Sequence, residues 1–273
     1  MNARIFVGDT RFDAIAPSDR GVAYGDGLFE TMRAHRGDVP WWNAHWTRLK
    51  MGARRLRIPL PDEGRVRYEF AQFLSGADAV LKLIVTRGSD GRGYAPADIV
   101  TPTWIVSTHP IPAGAPDEGV SLRWCETRLA VQPMLAGIKH CNRLEQVLAR
   151  AEWNDPAAPD RDAAEGLMLS TEGAVVCATA ANLFVLRNDR WWTPPVDRCG
   201  VAGVCRAWAL RELDATELRL DVTDIEQADA VFLCNAVRGI LPVAKLGERE
   251  WTPHPRVKAA RERLAAAHPG FAR

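Results

Sequence analysis

Runs of apolar residues, several of them alternating with polar ones, predict short β-strands along the whole chain. The predicted strands of the first half cover residues 5–8, 27–34, 39–42, 80–86 and 103–108. Those of the second half cover residues 120–125, 166–169, 175–177, 182–187 and 230–234. The turn-rich residues 35–38 predict a hairpin that joins the strands at 27–34 and 39–42.

Apolar residues at helical spacing lie between these strands and predict a mixed fold. From Asn43, a suitable N-cap, the apolar positions recur every three or four residues until Pro59 stops the helix. Further helices are predicted over residues 66–74 and 144–151, from about residue 203, and after Pro255. The pattern therefore indicates an α/β protein of the α+β type.

A proline-rich segment divides the chain. Residues 110–116 contain three prolines and a glycine, a composition typical of linkers. The length of 273 residues is about twice that of a common domain. We therefore expect a smaller N-terminal lobe over residues 1–111, a linker at 112–117 and a larger C-terminal lobe over residues 118–273, which carries Lys139.

Composition excludes several classes of protein. Thirty-five Lys and Arg residues against 34 Asp and Glu residues give a net charge of +1, which provides no field for nucleic acid or anionic lipid. No apolar run approaches the roughly 20 residues that span a bilayer, and the first ten residues lack a signal-peptide pattern. The six cysteines form no CxxC pair, so we expect reduced thiols and no metal site. We expect a cytoplasmic protein.

The scarcity of lysine draws attention to Lys139. The chain has five lysines, and Lys139 lies in an apolar segment just before a predicted helix. Desolvation there would favour the neutral, nucleophilic amine. The alternative is a structural lysine whose stem packs at the helix start while its ammonium stays in water.

Several blocks together resemble the 4-amino-4-deoxychorismate lyase family. Its members are fold-type IV enzymes that use pyridoxal 5′-phosphate (PLP) and are related to the branched-chain and D-amino-acid aminotransferases. The lysine segment GIKHCNRLEQVL at 137–148 carries the resemblance first. The other matching blocks, in the family's order, lie at residues 18–31, 44–49, 87–94, 180–184, 200–206 and 234–236.

The resemblance implies a two-lobed fold with PLP in the cleft between the lobes, and a homodimer in which loops of one subunit close the site of the other. It implies that Lys139 binds the cofactor aldehyde covalently. The residues that it assigns to the cofactor phosphate are Arg48, the amides of Val204 and Cys205, and Asn235 with Ala236. From the residues alone, Arg48 could equally be a solvated helix charge, and the glycine turn at 200–203 an ordinary connector.

The loop at residues 88–94 resembles a substrate-facing element of these lyases. Its glycine spacing does not match a dinucleotide-binding loop, and Pro96 follows it where a helix would have to begin. The resemblance makes Arg92 and Tyr94 candidates for binding a substrate carboxylate, and Arg33 is a further candidate. The alternatives are a flexible hairpin tip for the loop and a structural salt bridge for Arg33.

One position departs from the family. Where the family has a glutamate that bonds the pyridine nitrogen of PLP, this chain has Cys177. A thiol cannot hold a proton on the pyridine as a carboxylate does, so the cofactor would be a weaker electron sink. We expect this loss to affect an aminotransferase more than a lyase whose product becomes aromatic.

The reaction implied by the resemblance converts 4-amino-4-deoxychorismate into 4-aminobenzoate and pyruvate, a step towards folate. Lys139 would take the proton from the ring carbon that bears the amine. Two alternatives stay open at this point. One is a D-amino-acid or branched-chain aminotransferase on the same fold, and the other, in view of Cys177, is a non-catalytic paralogue.

Overall fold

The computed structural model describes residues 2–74, 76–89, 93–155 and 160–272, and the chain forms two compact units. Unit 1 comprises Met1–Ile111 and Ile138–Asn142, and unit 2 comprises Pro112–Gly137 and Arg143–Arg273. The sequence-based division placed Lys139 in the C-terminal lobe, whereas its segment belongs to unit 1. The reason is backbone pairing, because this segment lies along an edge strand of unit 1.

Unit 1 is a five-stranded antiparallel sheet with helices, in the strand order β2-β1-β5-β4-β3. Its elements are β1 (Asn2–Val7), β2 (Thr10–Phe12), α1 (Arg20–Tyr24), β3 (Gly27–Ala34), α2 (Trp42–Leu56), α3 (Glu63–Leu74), β4 (Ala79–Thr86) and β5 (Thr103–His109). Burial alternates along β3, with Leu28, Glu30 and Met32 buried and the residues between them half-buried. Strand β3 therefore presents two different faces, and it lies at the edge of the sheet.

The strand predicted at residues 39–42 is wrong. His35 and Asp38 close a turn through reciprocal backbone hydrogen bonds of 2.8 and 3.0 Å. Trp41 then adopts a left-handed conformation with φ of 61°, and α2 begins at Trp42. The apolar residues around Pro40 resemble a strand in composition, but this turn directs them into the start of a helix.

Unit 2 contains a mixed sheet of nine strands. Eight follow the order β11-β10-β9-β12-β13-β6-β7-β8, and β14 pairs with β13. The strands are β6 (Val120–Trp124), β7 (Glu165–Leu169), β8 (Val175–Ala178), β9 (Asn182–Arg187), β10 (Arg190–Thr193), β11 (Thr216–Glu217), β12 (Ala230–Asn235), β13 (Gly239–Leu246) and β14 (Arg249–Glu250). The helices are α4 (Leu144–Ala151), α5 (Val204–Glu212), α6 (Val222–Glu226) and α7 (Pro255–Ala267), with 3-10 turns at Glu152–Asn154 and Pro269–Phe271.

The centre of unit 2 is aromatic and aliphatic. The rings of Phe184 on β9 and Phe232 on β12 stack with centroids 4.8 Å apart, and Trp191 meets Phe232 edge-on. Both strands are buried along nearly their whole length, which explains why their sequences are continuous apolar runs. This packing gives a rigid support to the chain segments that leave the ends of β9 and β12. Within the described residues, no helix is long and apolar enough to cross a membrane.

Candidate active site

Lys139 is held in place by backbone pairing with the edge strand β3. The amide of Phe29 donates to the carbonyl of Lys139 at 2.9 Å, and the amide of Cys141 donates to the carbonyl of Gly27 at 2.9 Å. Leu28 and His140 form an antiparallel bridge between these two bonds. Since both bonds use main-chain atoms, the position of Lys139 depends little on the side chains around it.

The Lys139 side chain is half-buried and lies against an aromatic ring. Its Nζ is 4.3 Å from the centroid of the Phe29 ring, and the Nζ of Lys82 on β4 is 5.5 Å from the same centroid. Lys245 and Lys258 form ion pairs with glutamates, whereas Lys82 forms none within the described residues. Lys82 is not among the predicted site residues, although its place inside the apolar run at residues 79–85 is a usable signal.

A buried carboxylate, Glu30, organises the other face of β3. Glu30 is 2 % exposed, and Arg48 of α2 binds it through two nitrogens, Nε to Oε1 at 2.8 Å and Nη2 to Oε2 at 2.5 Å. His45, one helical turn before Arg48, binds Oε2 through Nδ1 at 2.7 Å. Such a bidentate pair fixes the plane of the guanidinium, as recognition of a phosphate requires.

The charges of this cluster follow from its burial. Burial works to raise the pKa of Glu30, but the charge and hydrogen bonds of Arg48 and the bond from His45 outweigh it and lower the pKa to about 2. Burial lowers the pKa of His45. The hydrogen bond and negative charge of Glu30 act to raise this pKa, whereas the positive charges of Arg48 and Lys139 lower it further. His45 is therefore neutral, and its buried Nε2 has no hydrogen-bond partner among the described residues. A buried nitrogen without a described partner, in a region where the charges of Arg48 and Lys139 act, suits a polar ligand.

In unit 2, the start of α5 provides main-chain donors. Gly203 occupies the N-cap position in an extended conformation, and no described side chain caps the helix. The first-turn amides of Val204 and Cys205 are therefore oriented as an uncapped anion site at the positive end of the helix dipole. Both residues are buried, and the Cys205 thiol hydrogen-bonds with Cys234 of β12, which together with burial raises the pKa of Cys205.

Two asparagines shape the backbone around this helix start. Asn182 donates from Nδ2 to the carbonyl of Val201 at 2.9 Å, and a Cβ on Gly203 would lie 2.0 Å from Asn182 Oδ1. Asn235 accepts at Oδ1 from the amides of Val237 and Arg238, at 3.0 and 2.8 Å. Asn235 therefore forms the turn that carries Ala236. Asn182 lies in the matching block at residues 180–184, but no local sequence pattern indicates its contact with Val201.

Cys177 lies in an apolar cluster of unit 2. It is buried on β8, directly opposite Met168, and the cluster includes Cys125, Leu129 and Val176. Burial, and to a smaller extent the neighbouring Cys199, raises the pKa of Cys177 to about 12. The side chain is therefore a neutral thiol at physiological pH.

The residues predicted for the substrate occupy different positions in unit 1. Arg33 lies on the same face of β3 as Phe29, and burial lowers the pKa of its guanidinium while Asp78 opposes this effect. The guanidinium remains charged. Tyr94 is 86 % exposed, and its ring is 5.4 Å from that of Tyr24. Arg92 lies outside the described residues.

Each unit by itself contains donors suited to a phosphorylated aldehyde. Unit 1 contains a primary amine on Lys139 and an oriented guanidinium on Arg48, and unit 2 contains the uncapped amides of α5. An amine captures an aldehyde, and guanidinium and amide groups bind a phosphate. The donors of each unit therefore fit the parts of PLP that they would bind.

Comparison with known proteins identifies the family of this chain. Residues 27–246 match the class IV amino-transferases. An aminodeoxychorismate lyase of Vibrio harveyi is 36% identical over 241 residues, which cover 85% of this chain and 87% of that protein. A putative branched-chain-amino-acid aminotransferase of Methanocaldococcus jannaschii is 28% identical, with 88% and 85% covered.

Among solved structures, 4-amino-4-deoxychorismate lyase from Pseudomonas aeruginosa superimposes with a TM-score of 0.87 at 41% identity, covering 97% of this chain and 99% of that one. The predicted family and the predicted fold class are therefore confirmed. The identity to the two proteins named as lyases exceeds that to the named aminotransferase, so the alternative of an aminotransferase is not better supported. This chain belongs to the class IV amino-transferases.

Proposed function

We propose that this protein is a PLP-dependent lyase that converts 4-amino-4-deoxychorismate into 4-aminobenzoate and pyruvate. The observation that carries the proposal is Lys139, an amine fixed by the backbone of β3 and placed against the Phe29 ring. It occurs in a chain 36% and 41% identical to two proteins named as such lyases. The reaction breaks one carbon–oxygen bond and needs neither oxidant nor reductant, because the two products together contain all the atoms of the substrate.

Within this proposal, Lys139 has two tasks. PLP, when bound, supplies an electron sink for the electrons left by the departing proton. Lys139 would hold the cofactor aldehyde at Nζ, and the same Nζ, when the substrate amine binds in its place, would accept the proton of the amine-bearing ring carbon. The enolpyruvyl group would leave with the electrons of the broken carbon–oxygen bond and take up a proton to become pyruvate, and the ring that remains is aromatic.

Both a side-chain guanidinium and main-chain amides are proposed to bind the phosphate of the cofactor. Arg48 offers a guanidinium whose plane Glu30 fixes, and the amides of Val204 and Cys205 offer main-chain bonds at the start of α5. Asn235 supports the turn that presents the amide of Ala236 as a further contact. Cys177 would face the pyridine nitrogen as a neutral group.

The substrate carries two carboxylates, so it requires positive charge in addition to the cofactor site. Arg33 and Lys82 lie on the same face of the unit 1 sheet as Phe29, because Lys82 is directly opposite Thr31 and β3 alternates. We assign these two side chains, with Tyr94 and Arg92, to the carboxylates. Lys82→Met should raise KM about tenfold, whereas Lys258→Met, which changes an exposed lysine, should leave it unchanged.

We also propose that the enzyme is a cytoplasmic homodimer. The six cysteines are all free, as in proteins kept in a reducing compartment. Leu144, Val147 and Leu148 form an apolar stripe on α4 that is exposed in the single chain, and a second copy of the chain would cover it. Light scattering of the holoenzyme should give twice the chain mass, and Val147→Glu should shift the protein towards the monomer.

An assay for pyruvate tests the reaction directly. Purified holoenzyme is given 4-amino-4-deoxychorismate without any keto acid, and pyruvate is followed by coupling to lactate dehydrogenase. The proposal predicts pyruvate and 4-aminobenzoate in equal amounts. Product that forms only after a keto acid is added would indicate an aminotransferase. Borohydride reduction and peptide mapping should place the phosphopyridoxyl group on Lys139, and any other lysine would contradict the assignment.

A further inference from the structure

Arg20 is a buried arginine that the proposed chemistry does not use. It is the first residue of α1 and is 4 % exposed. Its Nη1 donates to the carbonyl of Gly93 at 3.0 Å, and its Nη2 donates to the carbonyl of Tyr94 at 2.9 Å. A buried guanidinium that binds two consecutive backbone carbonyls fixes the path of the chain there, whatever side chains that segment carries.

The third bond of Arg20 connects it to a carboxylate. Its Nε donates to Asp26 Oδ2 at 3.0 Å, and Arg87 binds both oxygens of Asp26, at 2.7 and 3.0 Å. Burial works to raise the pKa of Asp26, but the bonds and charges of Arg87 and Arg20 outweigh it and lower the pKa. Asp26 is therefore ionised and balances part of the charge of the two arginines.

Arg87 in turn joins this network to the end of α2. Its Nη1 donates to the carbonyl of Arg57 at 2.7 Å, and its Nη2 donates to the carbonyl of Leu56 at 2.8 Å. Those carbonyls are among the ones that the last turn of a helix leaves unpaired. A continuous chain of hydrogen bonds thus runs from the end of α2 through Arg87, Asp26 and Arg20 to Tyr94.

The effect at Tyr94 is a fixed backbone with an exposed ring. The carbonyl of Tyr94 is bound by Arg20, whereas its side chain is 86 % exposed. The Tyr24 ring, 5.4 Å from that of Tyr94, also lies 5.0 Å from the Arg20 guanidinium. An aromatic side chain that is anchored at its backbone and is still largely exposed is available to contact a ligand.

We propose that Arg20 is a positioning residue for substrate binding, which holds the backbone at Tyr94 so that the phenol meets a substrate carboxylate. The inference rests on the proposed function, which assigns Tyr94 to the substrate. Arginine is needed because three of its N–H groups point in fixed directions to three acceptors. A lysine has one ammonium and cannot reach all three acceptors in the same geometry.

Steady-state kinetics of the holoenzyme separate positioning from general support of the fold. Arg20→Met should raise KM about tenfold and change kcat by less than about threefold, and Arg20→Lys should recover part of the loss. The matched control is Arg4→Met, which removes a partly buried ion pair to Glu69, of 2.6 Å, elsewhere in unit 1. Arg4→Met should lower the melting temperature and leave KM unchanged. An Arg20→Met enzyme with the wild-type KM would overturn the proposal.

A double-mutant cycle asks whether Arg20 acts through Tyr94. Tyr94→Phe removes the phenolic hydroxyl and should raise KM in the wild-type background. In the Arg20→Met background the same change should have little further effect, because the ring is no longer held. If the KM of the double variant rises by the product of the two single effects, Arg20 does not act through Tyr94.

Limited proteolysis tests the anchoring without any substrate. Chymotrypsin cuts after tyrosine, and cleavage of the native holoenzyme after Tyr94 should be about tenfold faster in Arg20→Met than in the wild type and Arg4→Met. Equal cleavage rates would contradict the anchoring. A wild-type enzyme that forms no pyruvate would instead contradict the proposed function, and the cleavage rates would still decide whether Arg20 holds Tyr94.

Discussion

The two units offer an anion different kinds of donor. In unit 1 the donor is the Arg48 guanidinium, which is oriented by the buried carboxylate of Glu30, and neutral His45 binds the same carboxylate. In unit 2 the donors are the main-chain amides at the start of α5, which no described side chain caps. Side-chain donors depend on the identity of each residue, whereas main-chain donors depend on the path of the backbone.

This difference predicts where each unit tolerates substitution. In unit 1, a single change of charge leaves a buried partner unpaired, which is costly in a desolvated cluster. In unit 2, most side chains can change as long as the turn before α5 keeps its shape, so the sensitive position is the one where a side chain would collide.

The largest effect is expected from Lys139→Arg. The charge and the backbone pairing with β3 would remain, but a guanidinium cannot capture an aldehyde. We expect the rate of pyruvate formation to fall by roughly a thousandfold or more, with the melting temperature nearly unchanged. Lys258→Arg is the control at an exposed lysine. A Lys139→Arg variant with wild-type turnover would remove the basis of the proposed function.

Among the side chains that orient other groups without reacting themselves, Glu30 should be the most sensitive to substitution, and Glu30→Gln tests this. The variant leaves Arg48 buried beside a neutral amide, so both stability and affinity for PLP should fall. The pKa of Glu30 is about 2 against an ordinary 4.5, which corresponds to about 3 kcal/mol of folding free energy. Glu250→Gln, at an exposed glutamate, is the control.

The pH dependence of this difference has a definite sign. Because the pKa of Glu30 is lowered in the folded state, its contribution is complete above about pH 4.5 and is lost as the pH falls towards 2. The unfolding free energies of the wild type and Glu30→Gln should therefore differ by a constant amount near neutrality and converge in acid. Urea unfolding at several pH values measures this, and a gap that widens in acid would contradict the assignment.

Gly203→Ala tests the backbone path in unit 2. The φ of Gly203 is −66°, which any residue adopts, so the effect is purely steric. The new Cβ would lie 2.0 Å from Asn182 Oδ1 and should displace the turn that Asn182 holds. We expect about tenfold weaker binding of PLP by absorbance titration. Gly114→Ala, where a Cβ meets nothing within 4 Å, should bind PLP normally.

Local sequence patterns predicted most elements of the fold. Strand β3 occupies residues 27–34 as expected, because its apolar positions alternate and turns lie on both sides. Helix α4 was also predicted from its spacing, yet the apolar residues Leu144 and Val147 are exposed in the single chain. Periodicity identifies a helix and its apolar face, but it does not identify what covers that face.

The site was predictable only where one short segment contains the chemistry. Lys139 and Arg48 lie in recognisable segments, but their supports come from distant parts of the chain. Glu30 lies 18 residues before Arg48, and Lys82 reaches Phe29 only through the register of β3 and β4. Such contacts depend on strand pairing and on packing between elements, which no local pattern encodes.

The smallest effect is expected at Cys177, because burial keeps its thiol neutral and therefore unreactive. Burial raises the pKa of its thiol to about 12, so no negative charge is present there near pH 7. Cys177→Ser exchanges one neutral group for another of similar size and should change the kcat of pyruvate formation by less than about threefold. A much larger loss would show that the thiol itself takes part in the reaction.

Cys177→Glu sharpens the same point, because it restores the carboxylate that the resemblance places at this position. If aromatisation drives the lyase reaction, the variant should gain transaminase activity towards D-alanine or a branched-chain amino acid, while its lyase rate changes little. The PLP content and melting temperature of the variant must be measured alongside, because a buried carboxylate can lower stability. Lyase and transaminase rates that both stay at the wild-type level, in a variant that folds and binds PLP, would mean that aromatisation is not what makes the cysteine tolerable.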